Sequence, residues 1–192
     1  MNYYSSDFHL GHKSICKYRP QFNTPEEHDE CILQMMEKLT KRDILYVLGD
    51  FLFEGPKYKE YLERIKKMPV RIKLIMGNHD AIDLYADCIG SNIEIQLPLF
   101  SWKNIWISHC PLHQQEIRGR LGNLHGHLHG SVVRDISGES DRRYFNVNLD
   151  NNNFKFVHLD TIKQYFNNLK ENLSFTQKIF TFNTHKDAKD WL

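Results

Sequence analysis

Residues 70–80 read VRIKLIMGNHD. An apolar run of strand length breaks at a glycine into asparagine, histidine and aspartate. The run predicts a buried strand. Its polar end has no packing logic, because buried hydrogen-bonding side chains need partners or a ligand. The same construction recurs along the chain. MNYYSS (1–6) leads to Asp7, DILYVLG (43–49) to Asp50 and NIWIS (104–108) to His109, while GNLHGHLH (122–129) carries its own histidines. In open α/β sheets, ligands bind at the carboxyl ends of strands. These distant segments are therefore expected to deliver polar groups to one place.

Amphipathic stretches lie between the runs. Thr24 as N-cap, Pro25 in the first turn and Glu27 as the acid of a capping box start a helix. Its apolar stripe is Cys31, Ile32, Met35, Met36 and Leu39. Tyr58, Tyr61, Leu62 and Ile65 line a second helix at about 57–67, and a third is expected from beyond Asp80 to near Gly90. A fourth, at about 160–170, carries Ile162, Tyr165, Phe166 and Leu169. All of these stripes read as core. Strands alternating with helices predict an α/β protein. The tail beyond 174 is expected to add an edge strand and a short helix.

With 192 residues, 41% hydrophobic and 26% charged, the chain has the size and composition of one globular domain, 1–192. A formal net charge of +1 gives no global field for nucleic acid or a membrane surface. RIKKMPVRIK (64–73) reads as a solvated face, as do Arg118, Arg120, Arg134, Arg142 and Arg143 near the histidine-rich segment, with phosphate contact the less favoured alternative for the latter. Cys16, Cys31, Cys88 and Cys110 form no C-x-x-C pair, which argues against thiolate metal sites and disulfides and for the cytoplasm. The start lacks the basic-then-apolar pattern of a signal peptide, and no apolar stretch is long enough to span a bilayer. No obligate protein partner is evident.

The polar strand ends form a donor set of carboxylate, imidazole and one amide, without sulfur. It suits borderline divalent ions such as Mn, Fe, Zn or Co, with Mn favoured, and it is too large for one ion. Asp7 with His9, and His127 with His129, are i, i+2 pairs, so both members of each can reach one side. On an extended chain His125 would face the same spot. The neighbouring glycines are expected to leave room for metal or substrate. Asp50 can hold two ions at roughly 3.5–4 Å through its two oxygens. Asn78 offers a neutral oxygen where another carboxylate would cancel positive charge.

In this ordered set the chain resembles the calcineurin-like metallophosphoesterases. The matching motifs are SDFH (6–9), LGD (48–50), GNHD (77–80), SHCP (108–111) and GHLHG (126–130). SDFHLGHKSI followed by YRPQF resembles the small, cap-less bacterial and phage members. The resemblance implies a four-layer sandwich of two packed mixed β-sheets flanked by α-helices. It implies two divalent metal ions, with Asp7, His9 and His129 on the first, Asn78, His109 and His127 on the second, and Asp50 bridging. His79 is then the catalytic histidine and Asp80 its orienting partner. His12, Arg19 and His125 are candidates for holding substrate, His125 alternatively as support behind the metal ligands. Cys110 is expected to pack; His28, His158 and His185 read as surface or core.

The implied reaction is phosphoester hydrolysis by metal-hydroxide attack with a histidine general acid. A phosphodiesterase acting on nucleotide-type or other small diesters, including short oligonucleotides, is favoured because no cap insertion closes the site. A phosphomonoesterase or phosphoprotein phosphatase is the enzymatic alternative. A non-catalytic metal-binding scaffold for protein interaction is the alternative from another class.

Overall fold

In the computed structural model, which describes residues 1–171, the apolar runs become strands of two sheets. The first sheet holds β1 (Asn2–Ser5), β2 (Ile44–Leu48), β3 (Arg71–Ile75) and β4 (Ile93–Ile95), all parallel, with β9 (Val157–His158) antiparallel against β1. Its order is β4-β3-β2-β1-β9. The second sheet orders β5 (Leu99–Trp102), β6 (Ile105–Ser108), β7 (Gly122–His125) and β8 (Tyr144–Asn146) in sequence. Only the β5–β6 pairing there is antiparallel.

Alternation along the strands sorts the core into two bodies. Leu45, Val47, Ile72 and Leu74 project to one face of the first sheet. They meet Ile32, Leu33 and Met36 of α1 (Pro25–Glu37) and Tyr61, Leu62 and Ile65 of α2 (Tyr58–Lys66). The opposite face offers Tyr4, Leu48 and Ile75 to Ile105, Ile107 and Leu124 of the second sheet. Each fully buried Leu or Ile contributes about 1.5–3 kcal/mol, so strand register is specified from both sides. A helix over 159–171, here α4, adds Ile162, Phe166 and Leu169 to the core between the sheets. The outer face of the second sheet is covered by a 3₁₀ turn, Gln114–Ile117, and its flanks. Trp106 Nε1–H donates to the Glu116 carbonyl and Tyr144 O–H to the Leu112 carbonyl.

Helix starts follow their local chemistry. Thr24 Oγ1 accepts the Glu27 N–H at 3.1 Å, while the Glu27 carboxylate reaches the Asn23 N–H at 2.8 Å, one residue earlier than a standard capping box. The third helix, α3 (Leu84–Cys88), is shorter than expected. The strands without a sequence signal, β4, β5, β8 and β9, are two to four residues long. β1, β6 and β7 are also only four residues long, but they lead into the donor motifs, and that was their signal. The expected elements beyond 174 lie outside the described residues. Among the described residues, no helix is long and apolar enough to cross a membrane.

The decisive feature for function is direction. β1, β2 and β3 run parallel, as do β6 and β7, and the segments that follow them meet at their carboxyl ends.

Candidate metal centre

The donors leave their strands by turning sharply. Asp7, His9, Asp50, His127 and His129 all adopt left-handed backbone, with φ of 58°, 50°, 53°, 70° and 48°. Such residues are uncommon outside glycine and store strain of order 1 kcal/mol or more each, which the surrounding structure must hold. The i, i+2 pairs therefore do not face one side as extended chain. β7 ends at His125, and the three histidines after Leu124 part company. His127 Nδ1 lies 3.3 Å from His109 Nε2, His129 Nε2 lies 3.2 Å from His9 Nε2, and His125 is buried with its ring against Tyr144.

The glycines serve the donors rather than a ligand. A Cβ on Gly77 would collide with the backbone nitrogen and Oδ1 of Asp50. One on Gly126 would collide with the Ser6 side chain and stand 2.7 Å from Asp7 Oδ2. The backbone must pass this close for the carboxylates to reach the centre.

Asp7, His9 and His129 form one donor group, and Asp7, Asp50 and His109 form another, each with ligand atoms within 4.8 Å of one another. Asp50 stands between them, with Oδ2 3.6 Å from His9 Nε2 and Oδ1 3.4 Å from His109 Nε2. Asn78 Oδ1 is 3.0 Å from His109 Nε2. The set fits divalent cations for a specific reason. His109 Nδ1 faces the Leu48 carbonyl at 2.7 Å, an obligate acceptor, so Nδ1 carries the hydrogen. In the neutral ring, Nε2 then presents a lone pair to the Asn78 and Asp50 oxygens. His129 is arranged alike, with Nδ1 on Asp150 Oδ2 at 2.9 Å and Nε2 toward His9. Converging lone pairs repel unless positive charge lies between them.

The electrostatics agree. Burial disfavours a charged His109, yet the Asp50 carboxylate raises its proton affinity above the ordinary value. Burial would likewise push Asp50 up, but His109, the His79 amide and His9 hold its carboxyl well below the usual range. Burial draws the His9 imidazole down to about 3. The pocket thus attracts a cation while keeping a histidine free to coordinate it.

Not every expected role survives. Arg19 is 1% exposed, and all five of its N–H donors are occupied, by Asp150 Oδ1 and Oδ2, the Asp7 and Phe8 carbonyls and His28 Nε2. No donor remains for a phosphate. His125 is likewise sealed from substrate. Burial pulls its pKa down to about 4, and its Nδ1 faces the Gly126 carbonyl at 2.8 Å. Asp80 does not hold the His79 ring. Its carboxylate accepts the backbone N–H groups of Asp50, Phe51, Leu52 and Gly77 at 2.6–3.1 Å, so it shapes the loop that carries Asp50. Cys110 is exposed rather than packed, within 4.8 Å of the His109 and His127 nitrogens.

His12 does reach open space. It lines a cavity of about 450 Å³ with His9, Ile15, Tyr18, Phe53, His79 and His129. His79 is exposed there, its ring stacked on Phe53 at 5.3 Å and 19°. Asp150, which joins Arg19 to His129, was not foreseen. It sits in an asparagine-rich run, VNLDNNN (147–153), that carries no local signal of a site.

The sequence pattern of the family described as calcineurin-like phosphoesterase matches residues 5–188. The chain belongs to this family. It is a metal-dependent phosphoesterase, and the two mixed sheets with their flanking helices are the fold expected of one. This phosphoesterase is 26% identical over 179 residues to the Gene 66 protein of Mycobacterium phage L5, a match covering 77% of this chain and 86% of that protein. The structure of a protein of unknown function from Aquifex aeolicus superposes with a TM-score of 0.63 at 26% identity, over 85% of this chain and 98% of that one. A shorter match, 32% identical over 65 residues, joins 31% of this chain to 23% of the symmetrical bis(5'-nucleosyl)-tetraphosphatase of Buchnera aphidicola.

Proposed function

We propose that this phosphoesterase is a dinuclear phosphodiesterase acting on small diesters that carry a flat ring, such as nucleotides. Asp7, His9 and His129 would hold the first ion, Asn78, His109 and His127 the second, with Asp50 shared; Mn is the favoured metal. Divalent ions held by these residues would supply positive charge to phosphate oxygens and acidify water for attack on phosphorus. The chain's own residues supply the remainder. His79, exposed at the cavity and kept close by its N–H bond to Asp50 Oδ1 at 2.9 Å, donates a proton to the departing alkoxide. His12 borders the bound ester.

The observation that carries the substrate reading is the cavity wall. Phe53 stacks on His79, His12 packs edge-on against Phe53 at 4.6 Å, and Tyr18 stands 74% exposed on the same rim. A cavity of about 450 Å³ lies in the range of small-molecule sites, and aromatic walls suit a planar ring. The distant tetraphosphatase relative, whose name specifies a nucleosyl substrate, points the same way.

Hydrolysis of bis(p-nitrophenyl) phosphate and of p-nitrophenyl phosphate by Mn-loaded protein tests this. The diester is expected to show the higher kcat/KM, and nucleotide diesters to compete with it. Strong monoester turnover with little diester turnover would overturn the preference in favour of a monoesterase. Protein that binds metal and hydrolyses neither would point to a binding scaffold.

A further inference from the structure

We propose that Arg19 is the positioning residue for the first half of the metal centre, acting on Asp7 and His9 directly and on His129 through Asp150. The proposal rests on the dinuclear reading above.

The guanidinium is a hub with no spare valence. Its Nη2 donates to the Asp7 carbonyl at 2.6 Å and Nη1 to the Phe8 carbonyl at 3.3 Å. Those two peptide oxygens lie in the turn whose ends, Asp7 and His9, are both left-handed. The clamp therefore works with the backbone bonds from the Asp7 and His9 N–H groups to the Gly49 and Asp50 carbonyls to hold a strained turn that aims both side chains inward. Nε and Nη2 also grip Asp150 as a fork, at 2.8 and 3.0 Å. Asp150 Oδ2 in turn takes the His129 Nδ1 hydrogen, which fixes the tautomer and leaves Nε2 for the centre. The His129 backbone is braced as well. Its carbonyl accepts the side-chain amides of Asn148 and Asn151 at 2.6 and 2.7 Å.

The far side of the guanidinium is equally specified. Nη1 donates to His28 Nε2 at 2.7 Å, and His28 Nδ1 faces Asp29 Oδ1 at 2.8 Å. Asp29 Oδ2 accepts the Gly11 N–H at 3.0 Å, just beyond the same turn. Arg19, His28 and Asp29 are all buried. Five acceptors match the five donors of a guanidinium; a lysine has three donors on one nitrogen. The second half is braced by other groups: the His127 N–H donates to the Asp7 carboxylate at 3.0–3.1 Å. His109 is fixed by a backbone carbonyl, and the Asp50 loop by Asp80.

The test is Arg19→Lys and Arg19→Gln, with Asp150→Asn as a milder cut through the same chain. Metal content and Mn titration are measured beside far-UV circular dichroism and hydrogen exchange. Arg19 variants are expected to keep one Mn equivalent near wild-type affinity and to weaken the other about ten- to a hundred-fold. Exchange should quicken across 7–10 and 127–130 and stay unchanged across 50–52, whose N–H groups Asp80 holds. Equal weakening of both equivalents, or two equivalents at wild-type affinity, overturns the proposal. If the Arg19 variants do not fold, Asp150→Asn carries the test: it should show the same one-sided loss, and unchanged binding overturns. If wild-type protein binds a single equivalent, the dinuclear reading fails by itself. Arg19 then stands on hydrogen exchange, where no change across 7–10 sinks it.

Discussion

The two halves of the donor cluster are held by different kinds of structure. Around Asn78, His109 and His127 the supports are backbone groups of adjoining strand ends: the Leu48 carbonyl under His109, and the N–H groups of residues 50–52 and 77 gathered by Asp80. Around Asp7, His9 and His129 the backbone bonds from the Asp7 and His9 N–H groups to the Gly49 and Asp50 carbonyls are joined by side chains from remote segments. Arg19 follows β1, His28 and Asp29 sit on α1, and Asp150 follows β8. The first kind comes with the sheet, because parallel strands in register place those carbonyls and amides wherever the strands end. The second kind must be assembled from charged groups in a dry interior, where each is costly unless fully partnered. Similar imidazole-rich donor sets can thus rest on a scaffold that tolerates change and one that does not.

The largest effect expected is the one that ignores this difference. Asp50 serves both halves, so Asp50→Asn should unload both and lower kcat/KM at least about a hundred-fold while circular dichroism stays native. Loss of one equivalent alone would show that the halves are independent and the shared carboxylate is not shared. His79→Ala should leave both halves loaded. Turnover should fall about a hundred-fold or more for diesters with poor leaving groups, and much less for p-nitrophenyl esters. Equal slowing of both would argue against proton donation. Asp80→Asn breaks the backbone-braced half. It replaces an acceptor of four N–H groups with one that also presents an NH₂, and should cost about 2–3 kcal/mol in denaturant unfolding. A loss below 0.5 kcal/mol, against about 1.5–3 for charged hydrogen bonds, would show that Asp80 does not brace the loop.

The smallest effect comes from a control arginine. Arg64 pairs with Glu30 and Glu37 on the partly exposed face between α1 and α2. Arg64 and Gln34 hold the Glu30 carboxyl at about 2. Because the folded-state pKa is depressed, the stabilisation is present above the unfolded value near 4.5 and is lost as pH falls toward 2. Solvent screens such pairs, so Glu30→Gln should change stability at neutral pH by no more than about 0.5 kcal/mol. A change of several kcal/mol would erase the contrast between the surface arginine and buried Arg19.

Much of the site was legible because its donors are written as local patterns. Strand periodicity placed Asp7, Asp50, Asn78 and His109 at strand ends, and the motifs named them without reference to contacts. The misreadings share one origin. Extending β7 through His129 assumed that alternate residues keep facing one way, whereas two left-handed residues end the strand at His125. Treating Arg19 as a phosphate ligand assumed that an arginine near a motif is free. Pairing Asp80 with His79 followed the family resemblance, which says nothing of the four backbone N–H groups that take up the Asp80 carboxylate here. Each assumption concerns partners, and partners are absent from a local pattern.

The sequence by itself determined the α/β layout, the order of the donors and the family, since burial alternation and donor identity are properties of a few consecutive residues. Tertiary structure alone decided which nitrogen of His109 and His129 faces the centre and which arginine is spent inside. The reason is distance along the chain: Arg19 and Asp150 lie 131 positions apart, and only folding brings the guanidinium to the carboxylate that sets His129.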